Sequence, residues 1–348
     1  MKPKSILITG NMGYVGPSVV RQLKSAYPEA KIIGFDIGYF AHCLTGASLL
    51  PESLLDQQVF GDIRKLPADL LQGVDAVISL AAISNDPMGK AFEQVTMDIN
   101  YASNIALAEK AREAGVSHFV FASSCSVYGF AESGARKEED SLNPLTAYAR
   151  SKHDSELALA DLATDNFRVT CLRFPTACGM SDRLRLDLVL NDFVASAVAT
   201  GSIEILSDGT PWRPLIDTKD MALAIDWALQ RQNEANFIAI NAGHDVCNYQ
   251  ILDLAKAVQK HIPGTEISVN EDAAPDKRSY RVDFSLYQEL AADYLPRCTL
   301  AQSIAELHAG LVAMDFAEAG FRDSPHMRLR VLGNHIEAGR IDGDLTLI

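Results

Sequence analysis

Thr9-Gly10-Asn11-Met12-Gly13-Tyr14-Val15-Gly16 follows the apolar run Ser5-Ile6-Leu7-Ile8 and opens an amphipathic stretch that continues to about Lys24. A strand before and a helix after give each glycine its own task. Gly10 permits a tight turn, Gly13 lets the backbone approach a pyrophosphate, and Gly16 lets the helix pack closely on the strand. The helix N-terminus adds free N–H groups and the positive end of its dipole. The glycine spacing alone also fits an ordinary turn; the flanking elements decide. The next apolar run, Ile32-Ile33-Gly34-Phe35, ends at Asp36, whose carboxylate can accept both hydroxyls of an adenosine ribose. That carboxylate would repel a 2′-phosphate, and no Arg or Lys follows between Ile37 and Phe40, so the spacing predicts NAD rather than NADP. Asp62-Ile63 either brackets the adenine or, with Gly61, makes a turn.

Outward from this motif, apolar runs of strand length alternate with longer helical patterns. Strands are expected at Ser5 to Thr9, Lys31 to Phe35, Gln58 to Phe60, Ala76 to Ala81, His118 to Ala122 and Arg168 to Arg173, with helices at about Val95 to Ala114 and Ala147 to Ala163. The fold class is therefore α/β, a Rossmann doubly wound parallel sheet with a smaller, discontinuous α/β substrate lobe. A last helix (Met221 to Gln232) and strand (Asn236 to Ile240) return to the first sheet. That places the dinucleotide domain at residues 1–173 plus about 214–243, and the substrate lobe at about 174–213 plus 244–310. Ser207-Asp208-Gly209-Thr210-Pro211 suggests a hairpin between Ile203 to Leu206 and Leu215 to Ile216. Residues 311–348 form a C-terminal tail with no assignable role.

The composition narrows the function classes. The 348 residues carry a net charge of −14, which repels polyphosphate backbones and argues against a nucleic-acid partner. No apolar run is long enough to span a bilayer and no signal peptide precedes the first strand, so no membrane partner and a cytoplasmic location are expected. The six cysteines and eight histidines lie scattered, without metal-ligand or disulfide spacing, and no metal is expected.

Tyr148-Ala149-Arg150-Ser151-Lys152 sets a phenol and an ammonium four residues apart, on one helix face. A neighbouring ammonium stabilises a phenolate and lowers the tyrosine pKa, which yields a general base for an alcohol. Ser123-Ser124 ends the strand before and can present a hydroxyl to the same oxygen.

These residues resemble the extended short-chain dehydrogenase/reductase family, in its NAD-dependent nucleotide-sugar epimerase/dehydratase branch (UDP-glucose 4-epimerase-like). The resemblance rests on Thr9 to Gly16, Asp36, Asp62-Ile63, Leu80-Ala81-Ala82, Asn100, Ser123-Ser124 with Val127-Tyr128-Gly129, Tyr148 with Lys152, and Leu172-Arg173. It implies Tyr148 as acid and base, Lys152 also as holder of the nicotinamide ribose, and Ser124 as hydrogen-bond partner of the reacting oxygen. Tyr14 and Val15, with Gly10, Gly13, Gly16, Asp36, Asp62, Ile63, Ala81, Ala82 and Asn100, would surround the cofactor; Asn100 is alternatively a capping or packing residue. Ser84, Ser126, Thr176, Asn191, Arg213, Arg278 and Arg281 would meet the substrate, Asn191 and Arg213 at its diphosphate. A guanidinium suits that role; the segment of Arg278 and Arg281 is alternatively an exposed basic loop. The resemblance further implies a homodimer joined through the two long helices.

Two departures from the family pattern matter. Dehydratases of this branch carry an Asp-Glu pair where this chain has Cys125-Ser126, so elimination of water is not expected. Cys125 is either a proton-transfer group, if a neighbouring charge stabilises its thiolate, or a small buried hydrophobe. In Phe174-Pro175-Thr176-Ala177-Cys178-Gly179, Thr176 and Cys178 replace the usual Asn and aromatic residue and change the sugar pocket. The activity expected is epimerisation at carbon 4 through a transient ketone. The rivals are a nucleotide-sugar dehydrogenase, a 4-keto-sugar reductase with net redox, and a non-catalytic NAD-binding protein.

Overall fold

The computed structural model describes residues 2–130, 134–231, 235–273 and 279–348. In chain order its strands are β1 (Ser5–Thr9), β2 (Lys31–Asp36), β3 (Gln57–Phe60), β4 (Ala76–Ser79), β5 (His118–Ser124), β6 (Ala135–Arg136), β7 (Arg168–Phe174), β8 (Thr176–Cys178), β9 (Ser202–Ile205), β10 (Trp212–Asp217), β11 (Phe237–Asn241), β12 (Asn248–Gln250), β13 (Glu266–Val269) and β14 (Arg281–Val282). The helices are α1 (Gly16–Ala26), α2 (Asp86–Ala91), α3 (Glu93–Met97), α4 (Ser103–Glu113), α5 (Ala147–Leu162), α6 (Val189–Thr200), α7 (Thr218–Gln230), α8 (Ile251–His261), α9 (Ser285–Leu290), α10 (Leu300–Ala313) and α11 (Arg328–Glu337).

Seven strands form one sheet in the order β11-β7-β5-β4-β1-β2-β3, and every pair is parallel. Both faces are covered, which is why the strands read as unbroken apolar runs rather than as alternating ones. In β1, Ile6 and Ile8 pack beneath α1 and α7 with Val19, Leu23 and Ile225, while Leu7 faces α4 and α5 with Leu107 and Leu159. A second core lies between α6, α8 and α10, with Leu190, Val194, Leu254 and Leu307 buried together. The order of the sheet changes direction between β1 and β4, and ligands of doubly wound sheets bind outside the strand ends at such a point.

Two expectations need correction. The hairpin across Ser207 to Pro211 is absent: β9 pairs in parallel with β13, and β10 pairs with β8 and β12. Asp208 does close a turn, accepting from the Thr210 amide at 3.0 Å. Ile203 and Ile205 are buried against the second core, however, and this takes β9 into a different sheet from β10. The helix expected over Val95 to Ala114 is real but interrupted, because Asp98–Ala102 is a turn of π-helix between α3 and α4. Such bulges tend to sit at functional places, and this one carries Asn100.

Candidate active site

α1 begins against the glycine turn with no side chain capping it and no acidic residue in its first turn. Gly10 has φ +76°, and a Cβ on it would lie 2.5 Å from the Ala81 amide nitrogen. A Cβ on Gly16 would lie 1.9 Å from the Asn11 carbonyl oxygen. Around Gly13 a Cβ would meet only the Gly10 carbonyl oxygen, at 3.2 Å, so this side of the turn opens toward the neighbouring cavity. Asp36 ties the two halves of this end together: it accepts from the Met12 amide at 3.0 Å and from the Gly38 amide at 2.7 Å.

The cavity has a volume of about 1080 Å³ and is lined by Gly10, Gly13, Tyr14, Val15, Gly16, Asp36, Asp62, Ile63, Ala81, Ala82, Ser84, Ser124, Ser126, Tyr148, Lys152, Thr176 and Arg213. That is at the upper end of the range for ligand sites, which run to roughly 1,000 Å³, and the lining extends from the glycine turn past Tyr148 to Arg213. The free helix end, the open Gly13 and the carboxylate at the β2 terminus fit NAD.

Tyr148 and Lys152 sit in the first turns of α5, whose N-cap is Thr146: its hydroxyl accepts from the Ala149 amide at 3.1 Å and donates to Asp86 at 2.7 Å. Ser124, at the end of β5, lines the cavity with Tyr148 and acts to lower the phenol's pKa. Burial outweighs this and pushes the phenol up to about 12. The Lys152 ammonium lies 5.7 Å from the centre of the Tyr148 ring but donates to the Ala122 carbonyl at 2.7 Å. Its burial lowers its own pKa to about 8. The expected lowering of the phenol's pKa by Lys152 is not seen: desolvation dominates, and Ser124 and Arg185 rather than Lys152 oppose it.

Several expected ligand contacts lie elsewhere. Cys125 is fully buried, does not line the cavity, and donates to the Arg173 carbonyl at 3.2 Å, while burial pushes its thiol pKa up; it packs and is no proton carrier. Asn100 stays behind the cavity wall: its amide accepts from the Ile83 amide at 2.8 Å, donates to the Ile83 carbonyl at 2.9 Å, and so fixes the loop after β4. Asn191 is likewise fully buried and locks that side of the wall, accepting from the Gly179 amide and donating to the Tyr14 hydroxyl and the Arg185 carbonyl. Arg281 is exposed and lies over the Trp212 ring at 5.1 Å. The period-two geometry of β14 turns Arg281 out and Tyr280 in, and it is Tyr280 that lines the cavity. Arg278 lies outside the described residues.

Other lining residues carry no motif. Arg185 donates to Ser84 Oγ at 2.8 Å and pairs with Asp187 at 2.6 Å; Asn85 donates to the same carboxylate at 2.8 Å. The alternation Arg183-Leu184-Arg185-Leu186-Asp187-Leu188 is the signal that could have found them, since charges buried in such a run need a reason. Ser126 lines the cavity, and its Oγ is out of solvent with no partner among the described residues.

Residues 6–243 match the NAD dependent epimerase/dehydratase family. The chain belongs to that family. Its members are NAD-dependent enzymes. The chain is 30% identical to the UDP-glucose 4-epimerase of Bacillus subtilis (strain 168) over 293 residues, 76% of this chain and 83% of that one. It is 24% identical to a dTDP-glucose 4,6-dehydratase of Streptomyces griseus over 304 residues, 86% and 92% of the two chains. In fold it is similar to UDP-glucose-4-epimerase from Stenotrophomonas maltophila, solved with NAD and formylated UDP-arabinopyranose: TM-score 0.78, 24% identity, with 90% of this chain and 100% of that chain covered. No helix among the described residues is long and apolar enough to cross a membrane.

Proposed function

We propose that this family member is a nucleotide-sugar epimerase that inverts carbon 4 through a transient ketone. The observation that carries the reading is that Ser124, Tyr148 and Lys152 line one cavity running from the glycine turn to Arg213, with no Asp-Glu pair beside Ser124 to eliminate water. Tyr148, as phenolate, takes the proton of the C4 hydroxyl and later returns it. Ser124 holds the reacting oxygen in line with the phenol, and Lys152 holds a ribose hydroxyl. NAD, when bound, supplies reversible oxidation of carbon 4 and a cationic ring beside Tyr148. Arg213 lines the cavity where a diphosphate needs a guanidinium, and Ser126 and Thr176 offer hydroxyls to the sugar. Residues 174–213 and 244–310 then make up the substrate lobe. By the same reading the enzyme is cytoplasmic and pairs through α4 and α5 into a homodimer.

The test is incubation with a panel of nucleotide-diphosphate sugars followed by proton NMR. Inversion at carbon 4 without lasting gain of NADH absorbance supports the reading; no inversion with any of them, or NADH growing with substrate consumed, overturns it.

The phenol's pKa gives a second expectation. A difference titration of wild type minus Tyr148→Phe should show no phenolate at neutral pH in the cofactor-free protein, since the phenol titrates near 12. Bound NAD, with its positive ring, should bring that midpoint down. Lys152 has the opposite sign: buried and titrating near 8, its charged form costs folding stability at neutral pH, and that cost fades as pH rises from about 8 toward its unfolded value.

A further inference from the structure

Residues 311–348 lie beyond the stretch matched to the family, yet two of them, Arg322 and Arg328, line the cavity. Arg322 pairs with Asp192 of α6 at 2.7 Å, and both side chains line the cavity. The chain then crosses to the other side, where α11 sets Leu332 beside Tyr39, Ile83 and Ile99, joined by Ile341 and Leu345. Tyr39 donates its hydroxyl to the Leu345 carbonyl, and His335 Nε2 lies 2.8 Å from the Tyr39 carbonyl. Arg64, whose guanidinium chelates Asp62, also donates to the Asp344 carbonyl at 2.7 Å and the Leu345 carbonyl at 3.2 Å. The segment is fastened to the two loops that present Asp36 and Asp62-Ile63 to the cavity.

At its centre stands Arg328, 2% exposed and part of the cavity wall. Among the described residues its hydrogen bonds go to the carbonyls of Pro325 at 3.2 Å, Arg183 at 2.6 Å and Leu184 at 3.2 Å, and its guanidinium lies over the Phe40 ring at 4.9 Å. Nearby Arg183 and Arg185 are neutralised by Glu52 and Asp187. Arg328 pairs with no carboxylate among the described residues. Burial lowers its pKa to about 10, which still leaves it charged at neutral pH. Asp187, already paired with Arg185, acts on Arg328 only at longer range. A buried cation so incompletely balanced is costly, and one that lines a ligand cavity is suited to a ligand's negative charge.

We propose that residues 315–348 are a strap that completes the dinucleotide site, with Arg328 as counter-charge for the phosphates of NAD, and that the strap retains NAD between turnovers. This rests on the reading of the chain as an NAD-dependent epimerase, which needs no exchange of cofactor. A nucleoside diphosphate of the substrate presents the same chemistry, so the test separates the two.

Wild type, Arg328→Met, Arg328→Lys and Tyr39→Phe are purified, their NAD content is measured after gel filtration, and NAD, ADP, adenosine and UDP are titrated calorimetrically. Arg328→Met should weaken NAD and ADP about tenfold to a hundredfold and leave adenosine and UDP unchanged, with Arg328→Lys recovering much of the loss. Tyr39→Phe, which loosens the strap without touching its charge, should speed NAD release about fivefold. Weakened UDP with unchanged NAD, or unchanged NAD in Arg328→Met and Tyr39→Phe alike, overturns the proposal. Should Arg328→Met fail to fold, Tyr39→Phe decides it. If wild type binds no NAD at all, the cofactor reading itself falls, an outcome distinct from a strap that does not matter.

Discussion

Tyr148→Phe should lower kcat by about 10² to 10⁴, the usual contribution of a positioned acid and base, while NAD remains bound and KM changes little. The substitution removes one hydroxyl from a ring held at the head of α5, whose cap at Thr146 it does not touch. Two nearby candidates are otherwise engaged: Lys152 donates to the Ala122 carbonyl, and the Cys125 thiol is sealed behind the wall. Steady-state kinetics on the sugar nucleotide that wild type inverts, with the bound NAD quantified in both proteins, provides the measurement. An unaltered kcat would remove Tyr148 from the chemistry and favour a protein that binds NAD without using it for catalysis.

The glycine turn, Asp36, Tyr148, Lys152 and Ser124 were legible because each belongs to a local pattern: a strand end, a helix start, or a four-residue helical spacing. All of them line one cavity. Asn100 and Asn191 were read as ligand contacts from the family resemblance, Asn100 with packing as its alternative. Both instead satisfy buried backbone groups, a task that depends on partners 17 and 12 residues away in the chain and leaves no spacing rule. For Arg281 the alternative of an exposed basic residue holds, and the neighbouring Tyr280 lines the cavity instead. Arg328 was invisible for a different reason. Its carbonyl partners at positions 183 and 184 lie 145 and 144 residues away, so nothing local marks it as buried. Long-range closure of a cavity is the part of the fold that periodicity does not encode.

Beneath the site, Arg173 and Glu156 carry the largest expected effect on stability. Both are nearly inaccessible, and the guanidinium makes bonds of 2.7, 3.0 and 3.1 Å to the carboxylate. Arg173 also donates to the Tyr128 hydroxyl at 2.9 Å, which in turn donates to Asn241 at 2.7 Å, and Ser123 donates to Glu156. Glu156 lies one helical turn after Lys152, so this network fastens α5, with both catalytic candidates, to the ends of β5, β7 and β11. Arg173→Met leaves a buried carboxylate with one hydroxyl for company and should destabilise the protein by about 3–5 kcal/mol. Adding Glu156→Leu removes the orphaned charge, and the double variant should recover most of that loss, because a buried pair exchanged for apolar groups is often close to neutral. Denaturant unfolding of the two single variants and the double variant measures the coupling. If the double variant is as unstable as Arg173→Met, the loss comes from packing around Tyr128 rather than from the unpaired charge. If it is stable yet slow, the ion pair's value lies in placing α5 so that Tyr148 meets Ser124, since the fold would then stand without it and the chemistry would not.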